Sequence, residues 1–465
     1  MAEVHANELA AKHKEVGVAE FFAKNRHLLG FDNKVKALMT TIKEAVDNAL
    51  DACEDARILP EIIVEVTDMG GDNYKIVIED NGPGIVKKNI GKVFAKLLYG
   101  SKFHKLGQTR GQQGIGISAC VMYGQLTTGK PAKIMSKTGA TESAHYMEIK
   151  LNTKTNHPDI LVDRKIDWPK DHGTRIELDI EASYQKGSRS IDEYLKQTAI
   201  TNPHTTIIYV NPKGEQIIFP RASEEMPKQA EEIKPHPYGI ELGYLMDMLD
   251  MTECKTLQSF LTTEFSRVSA NVAKEICEHA AILPNTKPKT ISRDAAEKVM
   301  KGIKKTKIMA PPSDCLSPIG ADMLEKGLRK EINAEFYAST TRPPAVYRGN
   351  PFIVEAAIAY GGNQAGDGPI NLMRFANRVP LLYQQGACAV NKAVCGTSWK
   401  NYSLQQSRGN LPIGPCTIAI HIASVWVPFT SESKEAIAHY PEILKEMKLA
   451  IQEVGRKLGS YLGKK

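Results

Sequence analysis

The stretch "EAVDNALDAC", residues 44–53, places three carboxylates and an amide on one side of a predicted helix. At about 100° per residue, Glu44, Asp47, Asn48 and Asp51 fall within roughly a quarter of the helical circumference. The opposite arc is apolar and carries Leu38, Ile42, Ala45, Val46, Ala49 and Cys53. The apolar arc is therefore expected to pack against a core, while the polar arc is either a solvated acidic face or one wall of a site.

Length and composition are those of a globular protein with two to four domains. The chain has 465 residues, of which 42% are hydrophobic and 24% charged. Its net charge of +7 permits contact with nucleic acid without demonstrating it. The eight cysteines form no CxxC pair, which predicts a reducing, intracellular environment and no structural zinc. We find neither a signal peptide nor an apolar run of the roughly 18 residues that a membrane span needs, so we expect a cytoplasmic protein without a membrane partner.

The first 220 or so residues predict a mixed α/β domain. Residues 17–59 have helical patterns, and Asp32-Asn33 can cap the long helix that carries the opening stretch. The runs "EIIVEV" (61–66) and "YKIVIED" (74–80) flank a turn rich in glycine and predict a β-hairpin that ends at Asp80. The alternation in "HGTRIELDI" (172–180) predicts a further strand.

From about residue 240 to 310 the pattern is helical and increasingly basic, which predicts a small helical module. After the breaker "APPSD" (310–314), strands are predicted in "PFIVEAAIAYGG" (351–362), "INLMRFANRVPLLY" (370–383) and "CTIAIHIASVWVPF" (416–429). A helix is predicted from about 433 to the end. The second half of the chain is therefore expected to contain another α/β domain.

Two loops have the composition of ligand-binding turns. In "EDNGPGI" (79–85), Asp80 ends a strand, and Gly82 and Gly84 permit tight backbone turns, although the same pattern is common in purely structural turns. In "TRGQQGIGISACVMYG" (109–124), three glycines precede an apolar helix that starts near Ser118. Backbone amides of such a loop at a helix N-terminus can bind an anion such as a triphosphate.

The order of these segments resembles the Bergerat ATP-binding fold, which DNA gyrase, heat-shock chaperone ATPases, sensor histidine kinases and mismatch-repair ATPases share. The four boxes are Glu44-x-x-x-Asn48, Asp80-x-Gly-x-Gly, Gly111-x-x-Gly-x-Gly and His172-Gly173-Thr174. The amide oxygen of Asn48 suits Mg²⁺, which needs few protein ligands when it is bound with ATP. Glu44 can orient and deprotonate the attacking water, and Asp80 can accept a hydrogen bond from the adenine amino group. Asp47 and Asp51 either shape the site or hydrate it.

Within that superfamily the sequence resembles the B-subunit family of archaeal topoisomerase VI. The resemblance rests on "FAKLLYGSKFH", "TRGQQGIG", "KPHPYGIELG", "DCLSPIGADMLEKGL", "YRGNPFIVEAAIAYGG", "RFANRVPLLY" and "SKEAIAHYPEI". It implies an α/β (α+β) protein in three parts: a strap and Bergerat ATPase domain at 1–236, a helix-two-turn-helix domain at 237–310, and a transducer domain at 311–465 that ends in a long helix.

The resemblance also implies roles for individual residues. Lys434 would reach the γ-phosphate from the transducer, whereas without the family it would be interpreted as an exposed lysine at a helix start. Arg110 could contact phosphate or pair with an acid, and His172 would position the turn before its strand. The implied nucleotide contacts are Asn48, Asp80, Gly82, Gly84, Ser101, Lys102, Gly111, Gln112, Gln113, Gly114, Ile115, Gly116, Ile117, Ser118, Thr174 and Lys434.

By the same resemblance the chain would be an ATP-hydrolysing motor that does not cut DNA. Cleavage would belong to a separate A subunit in an A2B2 heterotetramer, and relaxation and decatenation of double-stranded DNA would take place at the nucleoid. ATP would convert a monomer into a dimer, with the first dozen residues crossing to the neighbour as a strap. The basic run 287–307 would contact DNA phosphates, or would be a solvated helical face.

Two alternatives remain at this level. One is another Bergerat ATPase, such as a mismatch-repair protein or a histidine kinase, and the other is a non-hydrolysing scaffold of the same fold. The B subunits of the resembled family commonly continue through a long helix that docks on the A subunit, whereas this sequence ends at "LGSYLGKK" (458–465). That ending puts stable A2B2 assembly from this sequence in question.

Overall fold

The computed structural model describes residues 10, 15–100, 106–111, 114–431 and 433–465, which belong to two compact units. The first unit contains the described residues before 104 together with those of 111–195 and 205–220. The second unit contains the described residues of 104–110, 196–204 and 221–465. Both units combine helices with strands, so the predicted mixed α/β class is confirmed.

An eight-stranded sheet forms the centre of the first unit. Its strands are β1 Glu61–Asp68, β2 Asn73–Asp80, β3 Ala132–Lys137, β4 Ala144–Asn152, β5 His157–Ile166, β6 Gly173–Glu181, β7 Thr206–Val210 and β8 Gln216–Phe219. Their order is β5-β4-β3-β6-β2-β1-β7-β8. β1 and β2 form the predicted antiparallel hairpin, with Ile62 opposite Asp80. β6 lies beside β2, so Thr174 is placed opposite Asp80.

Helices cover this sheet and place the opening stretch against it. The helices are α1 Val18–Lys24, α2 Lys34–Asp55, α3 Lys87–Ala95, α4 Gly116–Thr128 and α5 Ile191–Thr201, the last of which continues into the second unit. The side chain of Asn33 caps α2 by accepting a hydrogen bond from the Lys36 amide at 2.9 Å, as predicted. α2 packs against α4 and against strands β2 and β6, and α4 also packs against β6. Leu38, Ile42, Val46 and Cys53 are at most 2% exposed, which confirms that the apolar arc packs.

The helical module predicted between 240 and 310 is present in the second unit. It consists of α6 Leu242–Met251, α7 Leu257–Glu264, α8 Ala270–Ala280 and α9 Arg293–Lys305. Hydroxyl side chains at Thr256, Ser269 and Ser292 cap the last three of these helices. The helices bury an apolar cluster of their own that includes Phe260 and Ile276. The boundaries assigned to this module as a separate domain remain a prediction.

A six-stranded sheet forms the rest of the second unit, together with three helices. The elements are α10 Ala321–Glu331, β9 Phe336–Thr341, β10 Ala345–Tyr347, β11 Asn350–Tyr360, β12 Asn371–Ala376, β13 Val379–Pro380, α11 Ala389–Cys395, β14 Cys416–Ser424 and α12 Pro441–Leu462. The strand order is β10-β11-β14-β12-β13, with β9 also paired to β11. α11 and α12 contribute to the large apolar cluster on this sheet, so the predicted second α/β region is confirmed.

The predicted start of the final helix is wrong. The helix was expected from about residue 433, but it begins at Pro441, because proline is favoured in the first helical turn and has no amide hydrogen for a preceding turn. The segment before it is a loop, in which the Ala438 amide donates to the Pro428 carbonyl at 2.7 Å. Lys434 lies in this loop with a left-handed φ of 52°. In the part of the chain that the structure describes, no helix is both long and apolar enough to cross a membrane.

Candidate nucleotide site

The polar arc of α2 is not a uniformly solvated face. The Glu44 side chain is 26% exposed and Asn48 is exposed, whereas Asp47 and Asp51 are only 4% and 8% exposed. A buried carboxylate needs hydrogen bonds or an opposite charge to offset its desolvation. The arc therefore divides into two accessible groups and two carboxylates that belong to the protein interior.

Asp47 lies in a buried network that the sequence analysis did not predict. Its Oδ1 accepts a hydrogen bond from the Tyr194 hydroxyl at 3.1 Å, and its Oδ2 lies 3.3 Å from the Lys43 Nζ. The same ammonium lies 3.2 Å from Glu44 Oε1. Burial lowers the pKa of Lys43, but the carboxylates of Glu44 and Asp47 outweigh it and raise that pKa above its ordinary value. The side chain of Lys43 is thus a fixed positive charge next to Glu44.

Asp80 ends β2 as a buried carboxylate. It is 7% exposed, and its Oδ1 accepts hydrogen bonds from the Gly82 amide at 2.8 Å and the Thr174 amide at 3.3 Å. Burial raises the pKa of Asp80 to about 6, although these two amides and the charge of Lys170 act in the opposite direction. Because both amides bind Oδ1, that oxygen is fixed in the turn and Oδ2 is the one suited to a ligand.

The turns around Asp80 are held by short polar contacts. The Thr174 hydroxyl lies 3.0 Å from the Ser136 hydroxyl, and His172 Nδ1 lies 2.8 Å from the Gly82 carbonyl oxygen. The latter contact agrees with the expectation that His172 positions its turn. Gly84 has a φ of 71°, and a Cβ there would lie 2.0 Å from a carbonyl oxygen of β3. Only glycine therefore fits this position.

The glycine-rich loop leads into the N-terminus of α4. The helix starts at Gly116 after the N-cap residue Ile115, and the first helical hydrogen bond is donated by the Ala119 amide to the Ile115 carbonyl at 2.8 Å. The amides of Gly116, Ile117 and Ser118 consequently have no acceptor within the helix. Such amides, together with the helix dipole, favour an anion at this end. Gly114 precedes them with a left-handed φ of 58°.

α2 and α4 bring the catalytic candidate and the phosphate-binding candidate together. An ideal Cβ on Gly116 would lie 1.8 Å from Glu44 Oε2, and one on Gly111 would lie 3.9 Å from Asn48 Oδ1. Glycine at 116 thus makes room for the Glu44 carboxylate. The Ser118 hydroxyl donates to the Lys96 carbonyl at 3.0 Å, so the backbone amide is the group of Ser118 that suits an anion at the helix end.

Several predicted site residues remain predictions. Ser101, Lys102, Gln112 and Gln113 lie outside the described residues. Lys434 belongs to the second unit, where its amide donates to the Ser431 carbonyl at 3.1 Å.

Arg110 also belongs to the second unit and is 8% exposed. Its Nη2 donates to Asn202 Oδ1 at 2.5 Å. The guanidinium thus binds an amide oxygen, and its contact with a phosphate or an acid remains a prediction.

A carboxylate at the end of a central strand, a helix with Glu44 and Asn48, and a glycine-rich loop at a helix N-terminus define an ATPase of the Bergerat class. The family described as "Histidine kinase-, DNA gyrase B-, and HSP90-like ATPase" matches residues 33–183, which contain these three features. The chain therefore binds ATP, and the predicted fold class is confirmed. The family described as "Topoisomerase VI B subunit, transducer" matches residues 311–465.

Curated relatives identify the family. The chain is 56% identical to the B subunit of type 2 DNA topoisomerase 6 from Methanococcoides burtonii over 465 residues, covering 100% of this chain and 75% of the relative. It is 56% identical to the B subunit from Methanosarcina mazei, and the match covers 99% of this chain and 74% of the relative. It is 49% identical to the B subunit from Archaeoglobus fulgidus, and that match covers 98% of this chain and 76% of the relative. The chain belongs to the family of type 2 DNA topoisomerase 6 B subunits. It is an ATP-hydrolysing topoisomerase subunit, and the mismatch-repair and scaffold alternatives find no support.

Proposed function

We propose that ATP hydrolysis in the first unit drives the passage of one DNA duplex through a double-strand break in another. The observation that carries this proposal is the convergence of Glu44, Asn48 and the N-terminus of α4, with Asp80 at the end of the neighbouring strand β2. These groups supply a base, a metal ligand and an anion site for phosphoryl transfer to water, together with a group that recognises adenine.

Each residue has a specific task in this proposal. Asp80 accepts a hydrogen bond from the adenine amino group through Oδ2, while Oδ1 stays fixed by the Gly82 and Thr174 amides. The amides at the start of α4 and of the preceding loop hold the phosphates. Asn48 offers its amide oxygen to Mg²⁺, which when bound neutralises phosphate charge. Glu44 orients the attacking water and accepts its proton.

The partners follow from the names of the relatives. A protein named as the B subunit of a DNA topoisomerase implies an A subunit and DNA, and we propose both as partners of this chain. We further propose an A2B2 assembly in which the A subunits cut DNA, and an ATP-induced dimer of B subunits in which the first dozen residues act as a strap. Because the proposed substrate is chromosomal DNA, we expect the protein at the nucleoid in the cytoplasm.

The helical module offers a surface for DNA in this proposal. Its basic run is exposed at Lys287, Lys289, Arg293, Lys298, Lys301, Lys304, Lys305 and Lys307. Exposed lysines and arginines bind DNA phosphates without sequence preference, and this binding weakens as salt concentration rises. The match of the transducer family to residues 311–465 supports a division of the chain into parts at 1–236, 237–310 and 311–465.

We also propose that nucleotide state is coupled to movement of the second unit, and that Lys434 reaches the γ-phosphate. One structural feature supports this coupling: the described residues 106–110, which precede the glycine-rich loop directly in sequence, belong to the second unit. Within that unit the Gln108 side chain makes two hydrogen bonds with the Ser317 backbone. Its Nε2 donates to the Ser317 carbonyl at 3.0 Å, and its Oε1 accepts from the Ser317 amide at 2.7 Å. Asn377 Nδ2 donates to the Thr109 carbonyl at 3.1 Å. A displacement of the phosphate-binding loop would therefore be transmitted along the chain to residues 106–110, which are hydrogen-bonded within the second unit.

This coupling predicts a specific effect of Gln108→Ala. We expect the variant to hydrolyse ATP at close to the wild-type rate but to relax several-fold less DNA per ATP, because both side-chain bonds to Ser317 are lost. Gln125→Ala is a matched control, since Gln125 binds the Leu151 backbone in the same way, at 3.1 and 2.9 Å, within the first unit. Equal relaxation per ATP by the two variants would contradict the coupling role of the segment.

Reconstitution tests the proposed function as a whole. The protein is mixed with a topoisomerase VI A subunit and negatively supercoiled plasmid, with and without ATP. We expect relaxation only when both subunits and ATP are present, and none with Glu44→Ala. Relaxation without ATP, or DNA cleavage by this chain alone, would contradict the proposal.

A further inference from the structure

The position of the Lys43 side chain is unusual for a surface helix. Neighbouring residues in a helix project about 100° apart and do not normally face each other, whereas residues four apart do. The Lys43 ammonium nevertheless lies 3.2 Å from Oε1 of its neighbour Glu44, and at the same time 3.3 Å from Asp47 Oδ2. The Lys43 side chain is only 20% exposed and that of Asp47 only 6%. Asp47 thus draws the ammonium into a place where it also reaches Glu44.

The far end of this chain of contacts is rigid. Asp47 Oδ1 accepts a hydrogen bond at 3.1 Å from the hydroxyl of Tyr194, which is 1% exposed and lies on α5. A carboxylate fixed by a buried tyrosine and an ammonium has few alternative rotamers. The contacts run from Tyr194 through Asp47 and Lys43 to one oxygen of Glu44.

The other oxygen of Glu44 has a different surrounding. Oε2 lies against Gly116, the first residue of α4, where an ideal Cβ would be 1.8 Å from it. This is the helix end whose amides suit the phosphates of the nucleotide. The two carboxylate oxygens therefore differ, with Oε1 bound by Lys43 and Oε2 beside the N-terminus of α4.

We propose that Lys43 is a positioning residue for ATP hydrolysis, which, held by Asp47, binds Glu44 Oε1 and thereby directs Oε2 at the attacking water. The proposal rests on the proposed role of Glu44 as the general base. A base that is fixed in orientation loses little entropy in the transition state, and a misplacement of about 1 Å can lower a rate by around 100-fold. Lys43 acts through Glu44 and does not itself exchange a proton.

The test compares Lys43→Met, Lys43→Arg and Tyr194→Phe in steady-state ATP hydrolysis and in binding of a non-hydrolysable ATP analogue. We expect Lys43→Met to lower kcat by ~100-fold while analogue binding stays close to that of the wild type. Lys43→Arg should recover most of the rate, because a guanidinium can also bridge two carboxylates. Tyr194→Phe should lower kcat less, since Asp47 keeps its contact with Lys43.

Lys36→Met is the matched control. Lys36 lies on the same helix, is 21% exposed and pairs with Asp32 at 3.5 Å, so it resembles Lys43 without being near Glu44. We expect its hydrolysis rate to be that of the wild type. The proposal would be overturned if Lys43→Met had the wild-type kcat. It would also be overturned if Lys43→Met lost both analogue binding and its melting transition, and Lys43→Arg restored neither.

Glu44→Gln separates a failure of this inference from a failure of the proposed function. If Glu44→Gln hydrolyses ATP as fast as the wild type, Glu44 is not the base and both proposals fall. If Glu44→Gln is inactive while Lys43→Met is fully active, only the role of Lys43 falls. In the Glu44→Gln background, Lys43→Met should have no further effect on the residual rate, because it acts through the missing carboxylate.

Discussion

We expect Gly116→Ala to lower kcat for ATP hydrolysis by ~100-fold or more, since a misplaced general base costs about that much. The added Cβ would lie 1.8 Å from Glu44 Oε2 and 2.6 Å from its Cδ, so the carboxylate has to leave its position. Apart from this clash, alanine fits the position, because Gly116 does not have a left-handed φ. The rate is measured by phosphate release, and folding by thermal melting.

Gly243→Ala provides the control for this prediction. Gly243 also lies in the first turn of a helix, α6, but a Cβ there has nothing within 4 Å. We expect this variant to keep the wild-type rate. Wild-type hydrolysis by Gly116→Ala, or an equal loss in both variants, would show that the space at residue 116 is not reserved for Glu44.

The second large effect is expected for Asp80→Asn, which should lose ATP affinity by at least ~100-fold, the equivalent of a lost charged hydrogen bond of about 3 kcal/mol. The amides of Gly82 and Thr174 keep the side-chain oxygen Oδ1 in the turn. The new Asn amide group then takes the place of Oδ2 and presents hydrogen-bond donors to the adenine amino group, which is also a donor. Binding of ATP is measured by calorimetry at pH 8.

The same substitution is expected to stabilise the protein without nucleotide. Burial raises the pKa of Asp80 from 3.8 to about 6, so the protonated form is favoured in the folded state. The stability that the protonated Asp80 carboxyl contributes to the wild type is complete below the unfolded-state pKa and is lost as the pH rises through about 6. At 1.36 kcal/mol per pKa unit, the ionised carboxylate costs on the order of 3 kcal/mol at pH 8, which asparagine avoids.

Thermal melting checks the sign of this effect. Asp80→Asn should melt several degrees above the wild type at pH 8, and the difference should shrink as the pH is lowered toward 4. Glu79→Gln is the control, because the Glu79 carboxylate lies next to Asp80 in sequence but is paired with Lys170 and Arg175. The Glu79→Gln variant should lose stability and keep ATP binding. A less stable Asp80→Asn at pH 8 would contradict the assigned burial cost.

Local patterns predicted the elements that position the site. The period-two runs on both sides of a glycine-rich turn indicated the β1–β2 hairpin and placed Asp80 at its end. The apolar arc of α2 and its Asn33 cap also follow from spacing alone. The start of the last helix at Pro441 was missed, because the composition of 433–440 is compatible with a helix and the loop closes through backbone contacts such as that between Ala438 and Pro428.

The candidate site was proposed from residue types at fixed spacing together with the family resemblance. These indicated Glu44, Asp80 and the loop before α4, but not which of these residues would be buried or how deeply. Lys43 was missed because a lysine beside acidic residues usually belongs to a solvated face. The four-residue spacing from Lys43 to Asp47 was a signal, yet the burial of Asp47 depends on Tyr194, which is 147 residues away in sequence.

The central claim is that α2 carries the catalytic base of an ATP-driven motor, and one combined measurement tests it most directly. Magnesium-dependent ATP hydrolysis is compared between the wild type and Glu44→Ala, while light scattering follows the oligomeric state with a non-hydrolysable ATP analogue. We predict hydrolysis by the wild type only, together with conversion of monomers into dimers by the analogue. Hydrolysis by Glu44→Ala at the wild-type rate, or a wild type that stays monomeric with the analogue, would contradict the account.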